Sequence, residues 1–142
     1  MKPLIDPVPT DLIEAELTRE RFLRPTNNGD NEIYVVTAGD SPNVMREIGR
    51  LREVSFRDGG GGTGADTDID EYDLDPEGYR QLIVWDPKQK EIVGGYRFII
   101  SHSSHPKCMS TEHYFRFTDK FREEYLPYTI ELGRSFVQPH YQ

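Results

Sequence analysis

Charged side chains interrupt two strongly apolar segments of this sequence. Arg97 follows two glycines and a tyrosine in "EIVGGYRFII", and Glu131 and Arg134 lie three residues apart in "IELGRSFV". A charged group is costly inside a sheet unless it is paired or faces a cleft. One interpretation is a structural ion pair, for instance Glu131 with Arg97. The other is a polar cleft in which a carboxylate accepts a proton and guanidinium groups hold anions.

The geometry of the last segment depends on whether its strand is regular. Side chains alternate between the two faces of a regular strand, so Glu131 and Arg134 would point to opposite sides. Gly133 lies between them, and a glycine inside a strand often marks a β-bulge that redirects its neighbours. A bulge near Gly133 would therefore allow both charges to serve one site.

A glycine-rich and then acidic stretch, residues 57–78, is long enough to indicate a functional loop. It contains the pattern G-x-G-x-x-G at Gly59, Gly61 and Gly64. A dinucleotide fingerprint follows a strand and opens a helix, whereas this pattern follows a predicted helix and runs into acidic residues. A hinge or lid is therefore favoured over nucleotide binding.

The acidic part of this stretch resembles a calcium loop. Asp66, Asp68 and Asp70 fall at positions one, three and five, and Glu77 falls at position twelve. Position six is Glu71, where the turn of a calcium loop needs glycine. A solvated acidic loop and a cation-binding structural domain remain as alternatives.

Residues of the types that bind metals also gather at His102, His105, Cys108 and His113. Their spacing is not one of the common zinc patterns, so we expect no metal. Cys108 is the only cysteine, and nothing in the sequence identifies a base that would activate it. A single cysteine also excludes an internal disulfide and suits a reducing compartment.

The overall composition bounds the classes of function. A chain of 142 residues is one domain's worth, long enough to bury a core. Its 17 Lys and Arg against 25 Asp and Glu give a net charge of −8, which argues against a nucleic-acid partner. No apolar run approaches the ~20 residues that span a bilayer, and the N-terminus lacks a signal-peptide core. We expect a soluble, cytoplasmic protein, with peripheral membrane contact left open.

Helical and strand patterns predict the elements that position these residues. A first helix is predicted over "TDLIEAELTRERFL", ending before Pro25, and a second begins at Ser41 and Pro42. Strands are predicted over 32–39, 80–86, 91–100 and 129–137, with a hairpin at 87–90. We expect an α/β fold in which these strands are neighbours in one mixed sheet and the second helix packs on it. Residues 1–31 are predicted as an N-terminal extension with a helix, and residues 32–142 as the main domain.

Five motifs occur in an order that is specific, although each is weak alone. They are "EIGRLREVSFR", "IDEYD", "QLIVWDP", "IVGGYRF" and "IELGRSFVQPHYQ". From about Ile33 onward, the series resembles the acyl-homoserine-lactone synthases, in which the acidic triplet more often begins with Glu. It resembles still more closely a related group of N-acyltransferases that often bears the name hemolysin and includes ornithine-lipid synthases.

The resemblance implies a GNAT-type acyltransferase fold, in which a mixed central sheet splits to admit a thioester. It also implies the transfer of a fatty acyl group from coenzyme A or an acyl carrier protein to the amine of an amino acid or similar small acceptor. On this reading Glu131 accepts or relays the amine proton. Arg97 and Arg134 hold carboxylates in place or bind a carboxylate of the acceptor. The acceptor is bound or oriented by Asp68, Asp70 and Asp73.

The resemblance also assigns residues to the donor side. Arg52 with Phe56 would pack their helix over the acyl donor, and backbone N–H groups near Val137 would stabilise the thioester oxygen. In that fold the last strand leads into a loop at a helix N-terminus that holds the donor phosphates, and the sequence ends at Gln142, where the loop should begin.

We therefore expect the N-terminal half of an acyltransferase, truncated before the pyrophosphate-binding loop. The chain alone should be inactive and should bind acyl thioesters weakly. Because of its exposed sheet edge, it should self-associate, bind a partner or be only marginally stable. The alternative is a non-catalytic GNAT-like module that binds a small ligand or a partner protein.

Overall fold

The structure is a computed structural model that describes residues 1–101 and 109–142. The five strands of these residues form one sheet in which they lie side by side in chain order, and every neighbouring pair runs antiparallel. The α/β fold class and the neighbourhood of the predicted strands are confirmed. Within the described residues the sheet is purely antiparallel rather than mixed, because each connection returns the chain beside the strand it has just left. The elements are α1 (Thr10–Glu16), β1 (Phe22–Pro25), β2 (Glu32–Val36), α2 (Pro42–Asp58), α3 (Glu71–Leu74), β3 (Arg80–Asp86), β4 (Glu91–Ile100), α4 (Thr111–Tyr114), α5 (Asp119–Glu124) and β5 (Ile130–Val137).

Helix α2 covers one face of the sheet and forms the main core with it. The helix begins as predicted, with Ser41 as N-cap residue and Pro42 in the first turn, where the missing N–H has no helical partner to lose. Val44, Ile48 and Leu51 repeat at helical spacing and are buried. The sheet residues in the same core are Tyr34, Val36, Ile83, Trp85, Ile92 and Phe136.

The N-terminal segment departs from the prediction. Helix α1 ends at Glu16, and the chain then returns as β1, which pairs with β2 where a continuous helix was expected. Phe22 packs its ring against Tyr34 with 5.6 Å between the ring centroids. The backbone N–H of Val8 donates to the buried carboxylate of Glu47 at 2.9 Å. Edge pairing and burial therefore outweigh the local helical pattern, and part of the predicted extension belongs to the sheet.

The opposite face of the sheet, which we call the outer face, is also apolar. Register places Leu82 beside Tyr96, Phe98 beside Leu132 and Ile100 beside Ile130, and these six residues define the outer face. Ile100, Ile130 and Leu132 are exposed. Among the described residues, no helix has the length and apolarity needed to cross a membrane.

Candidate active site

A β-bulge in β5 sets the geometry of the candidate site. Between the pairs Arg97–Gly133 and Gly95–Phe136, β5 has two residues where β4 has one. The first of the two is Arg134, whose φ of 52° lies in the left-handed region. The insertion turns Arg134 toward the face on which Arg97 lies. The predicted bulge is confirmed, although the left-handed residue is the arginine and not the glycine.

Arg52, on α2, is fully buried and joins three elements. Its Nη1 donates to Oδ2 of Asp73 at 3.0 Å and to the backbone carbonyl of Asp68 at 3.3 Å, and its Nη2 donates to Oε1 of Gln81 at 2.6 Å. The amide Nε2 of Gln81 donates to the other oxygen of Asp73 at 2.8 Å. Helix α2, the acidic loop and strand β3 are therefore held together by a charge pair that has no solvent access.

Arg97 and Arg134 approach the same loop from the sheet. Nη1 of Arg97 lies 2.7 Å from Oδ1 of Asp70 and 3.3 Å from Oδ2 of Asp73. Arg134 is held more loosely, with Nε 3.2 Å from Oδ2 of Asp68 and Nη2 3.5 Å from Oδ2 of Asp70. The side chains of Asp70 and Arg134 are 29% and 36% exposed, whereas the other four members are at most 3% exposed. We call this set, Arg52, Arg97, Arg134, Asp68, Asp70 and Asp73, the arginine–aspartate cluster.

Local structure explains how the acids reach the arginines. Asp70 is the N-cap residue of α3, and its carboxylate accepts N–H groups of the first turn while its own N–H donates to Oδ2 of Asp73 at 3.1 Å. The N–H of Asp68 donates to the carbonyl of Gly49 at 3.0 Å, so the loop lies directly on α2. A side chain at Gly49 would overlap the loop, which is why a glycine is found inside the helix there.

The electrostatic environment separates the two buried aspartates. Burial raises the pKa of Asp68, and the nearby guanidinium of Arg134 only partly offsets that effect. Burial alone would also raise the pKa of Asp73, but the charge of Arg52 and the N–H of Asp70 hold it below the ordinary value. Asp73 is therefore the fixed anion of the arginine–aspartate cluster.

Glu131 lies on the same sheet face as Arg97, but its contacts are different. It is opposite Ile99 in the register, two positions from the residue opposite Arg97. Its oxygens accept hydrogen bonds from the hydroxyl groups of Tyr79, Ser110 and Thr111 and from the N–H of Thr111. Burial alone would raise the pKa of Glu131, but these donors hold it below the ordinary value.

Convergence of Glu131, Arg97 and the aspartates on a single cleft stays a prediction, because the contacts of Glu131 and those of Arg97 are separate. Arg97 pairs with Asp70 and Asp73, so the Glu131–Arg97 ion pair considered from sequence is not formed among the described contacts. The two residues are connected instead through Tyr79, whose ring centroid lies 4.6 Å from the guanidinium carbon of Arg97.

The residues predicted for the donor side lie in the second half of α2 and at the end of β5. Phe56 packs against the main core from α2. The hydroxyl of Ser55 donates to the carbonyl of Leu51 at 2.7 Å and lies 3.4 Å from the carbonyl oxygen of Val137, and the N–H of Gln138 donates to the carbonyl of Val93 at 3.0 Å. The helix carrying Arg52 and Phe56 is therefore attached to the end of β5, and the role of Phe56 toward a donor stays a prediction.

The glycine-rich segment surrounds a carboxylate of the chain itself. The N–H groups of Thr63 and Gly64 donate to the buried carboxylate of Glu53 at 3.0 and 2.8 Å, and Nε of Arg57 donates to it at 2.8 Å. Burial alone would raise the pKa of Glu53, but these hydrogen bonds lower it to about 2. The backbone donors that a phosphate would need are already engaged.

The metal alternatives find little support in the described contacts. Asp68 and Asp70 face arginines and not a shared cation position. Within residues 1–101 and 109–142, no group of three or more His, Cys, Asp or Glu side chains is placed to hold a metal. The ring of His113 meets the ring of Tyr114 edge-on, with 4.9 Å between the ring centroids. The other three candidates, His102, His105 and Cys108, lie outside the described residues.

Sequence reasoning missed Tyr79 and Gln81, as well as Ser110 and Thr111, which donate to Glu131. Gln81 shares the alternating inward positions that Ile83 and Trp85 occupy along β3, Tyr79 continues that alternation one residue before the strand, and all four are buried. A glutamine at an inward position of an otherwise apolar strand is the signal that was available, because a buried amide requires polar partners.

Known proteins resemble this chain in sequence. Residues 51–142 match the family described as acetyltransferase (GNAT) domain. The chain is 52% identical over 147 residues to the glycine N(alpha)-acyltransferases of Bacteroides thetaiotaomicron and of Phocaeicola vulgatus. All of this chain is covered in both alignments, but only 44% and 45% of the two relatives, so the chain spans less than half their length. No solved structure matches significantly. Through its last 92 residues, the chain belongs to the acetyltransferase (GNAT) domain family.

Proposed function

We propose that this chain is the part of an N-acyltransferase that binds the acceptor amine, and that the acceptor is glycine or a similar small amino acid. The donor is a fatty acyl thioester of coenzyme A or of an acyl carrier protein. The observation that carries the proposal is the arginine–aspartate cluster, in which three cations and three anions balance and only one member of each sign, Arg134 and Asp70, is partly exposed.

A zwitterion is the ligand that such an arrangement suits. An amino acid brings an ammonium, which pairs with a carboxylate, and a carboxylate, which pairs with a guanidinium in two parallel hydrogen bonds. The contact between Arg134 and Asp70 is the longest in the cluster, at 3.5 Å. Both groups can therefore turn to a ligand while Arg52 and Asp73 keep the frame in place. The names of the two relatives, which specify the alpha amine of glycine, agree with this acceptor class.

The attacking amine must be neutral, so a carboxylate has to accept or relay its proton. Glu131 is the candidate, because it lies on the same sheet face and the donors around it keep it ionised near neutral pH. An apolar groove of about 420 Å³ beside the bulge opens on the outer face, on the other side of the sheet from Glu131, and is lined by Leu82, Val84 and Tyr96 among others; its apolar lining suits an acyl chain. Membership of the hemolysin-named group that includes ornithine-lipid synthases, and a cytoplasmic location, complete the proposal.

The test assays a full-length protein that includes this chain with glycine and with long-chain acyl thioesters on coenzyme A and on an acyl carrier protein. Glycinamide, which lacks the carboxylate, serves as the competing acceptor. We expect glycine to be preferred about 10²-fold or more, since a site built for a charged group rejects the analogue without it. Arg134→Gln should remove most of that preference by raising the KM for glycine.

Arg116→Gln is the matched control, because Arg116 is exposed and lies outside the arginine–aspartate cluster. Absence of acyl transfer to any small amine would overturn the proposed function. Transfer that retains its preference for glycine in Arg134→Gln would remove the arginine from carboxylate binding.

A further inference from the structure

Tyr79 lies between the two halves of the site. It is fully buried immediately before β3, two residues from the inward-facing Gln81. Its ring lies under the guanidinium of Arg97, and its hydroxyl donates to Oε1 of Glu131. The same hydroxyl accepts the N–H of Ser110 at 2.8 Å. One side chain thus contacts the arginine–aspartate cluster on one side and the candidate base on the other.

The surroundings of Glu131 show why the hydroxyl of Tyr79 matters. A carboxylate has about four lone-pair positions. The first oxygen of Glu131 accepts from the hydroxyls of Tyr79 and Ser110, and the second accepts from the N–H and the hydroxyl of Thr111, at 3.3 and 2.5 Å. The four donors therefore fix the orientation of the carboxylate. Because these hydrogen bonds favour the charged form of the carboxylate, the pKa of Glu131 depends on each of the four donors.

We propose that Tyr79 is a positioning residue that holds the carboxylate of Glu131 and the guanidinium of Arg97 in one fixed relation, through its hydroxyl and its ring respectively. It does not touch the reacting atoms. The kinetic part of this inference rests on the proposed function, but the structural part does not.

Other groups near Tyr79 define what a change at this residue would alter. Arg97 lies against the ring from β4, and Tyr72 lies against it from α3 at 6.2 Å between ring centroids, nearly perpendicular. Ser110 contacts the hydroxyl from the segment before α4. The charge of Arg97 is balanced by Asp70 and Asp73, so removal of the Tyr79 hydroxyl acts mainly on Glu131.

The first experiment follows the carboxyl carbon of Glu131 by ¹³C NMR during a pH titration of the 142-residue chain. Tyr79→Phe keeps the ring over Arg97 and removes one donor to Glu131, so the pKa of Glu131 should rise by about half a unit to one unit. Tyr72→Phe is the matched control, because it removes a hydroxyl from the neighbouring ring and should leave that titration unchanged. An unchanged titration of Glu131 in folded Tyr79→Phe would overturn the inference.

A second variant covers the case in which Tyr79→Phe fails to fold. Site-specific replacement of Tyr79 by 3-fluorotyrosine keeps the shape and makes the hydroxyl a stronger donor. The pKa of Glu131 should then fall, and a rise or no change would overturn the inference.

The kinetic experiment uses a full-length protein that includes this chain. Tyr79→Phe should lower kcat at least about 10-fold, move the acidic limb of the pH profile upward with the pKa of Glu131, and leave the KM for glycine within about 2-fold. An unchanged kcat beside a shifted Glu131 titration would contradict the positioning role. If the unsubstituted protein transfers no acyl group, the proposed function fails, while the NMR result still decides whether Tyr79 orients Glu131.

Discussion

Arg52 carries its charge in a position without solvent access, and its neutral partner Gln81 is as deeply buried as its charged partner Asp73. Removal of one member of a buried ion pair is far more costly than removal of the pair, because an uncompensated charge is left behind. Loss of Asp73 should therefore disturb the structure around Arg52 more than loss of the partly exposed Asp70.

Asp73→Asn should lower the free energy of unfolding by about 3–5 kcal/mol, because Arg52 loses its anion. Urea denaturation followed by circular dichroism measures the change. Asp66→Asn, in the same loop but exposed, is the control and should have little effect. A loss for Asp73→Asn no larger than the control's would mean that Gln81 and the loop carbonyl are sufficient for Arg52.

Glu131→Gln should lower turnover by about 10²-fold or more in an active full-length form, because the shape is kept and the base is lost. The exposed Glu123 offers a matched control as Glu123→Gln. Because the pKa of Glu131 lies below its ordinary value, the unsubstituted enzyme should keep its base ionised well into the acidic range. Unchanged turnover in Glu131→Gln would remove this residue from the chemistry.

Two kinds of element support the site, and the sequence predicted them unequally. The hairpin from β3 to β4 and the start of α2 have local signals, namely a turn sequence and a Ser-Pro pair, and the structure confirms both. The end of the first helix at Glu16 and the partners of the arginines have no such signal. Which aspartate pairs with which arginine depends on how the loop lies on Gly49 of α2, and that contact becomes visible only once the fold is known.

The glycine-rich segment should give the protein an acid-sensitive component of stability. Glu53 has a pKa near 2 in the folded chain, below its unfolded value, so its contribution is present above the unfolded pKa and is lost as the pH falls through the folded pKa. Glu53→Gln should therefore lose stability at pH 6 but depend less on pH between about 5 and 2. Chemical denaturation at several pH values measures this, with the exposed Glu20→Gln as control. Parallel pH curves for Glu53→Gln and the unsubstituted chain would contradict it.

Gly95 permits the close approach of β4 and β3 beside the bulge. A Cβ at this position would overlap the backbone carbonyl oxygen of Leu82, which cannot move aside as a side chain can. Gly95→Ala should therefore destabilise the fold by about 1–3 kcal/mol. Gly39→Ala is the control, because a Cβ there has its nearest atom at 3.9 Å. Equal melting temperatures for the two variants would show that β4 can shift without cost.

Across the whole molecule, the two faces of the sheet differ in how far they are covered. One is covered by α2, and the outer face presents Ile100, Ile130 and Leu132 with more than half of each side chain exposed. Strand β5 is also an edge of the sheet within the described residues. An apolar face next to an open edge favours association with another surface.

We expect the isolated 142-residue chain to self-associate, which light scattering detects as a mass above that of the monomer. Ile130→Lys combined with Leu132→Lys should reduce the association, because charge on an exposed edge strand opposes pairing. Leu12→Lys, on the exposed side of α1, is the control. A monomer at every accessible concentration would show that the outer face is tolerated in water.

The bulge in β5 has a consequence for how related sequences are compared. Because two residues occupy the space of one between Gly133 and Phe136, loss of a single residue there would restore regular alternation and send the side chain at position 134 to the outer face. An alignment could then retain the arginine letter although its side chain no longer reached the aspartates. An evolutionary survey should therefore compare the number of residues between the glycine and the phenylalanine. That number, more than the residue at any one aligned position, decides which homologues keep this site.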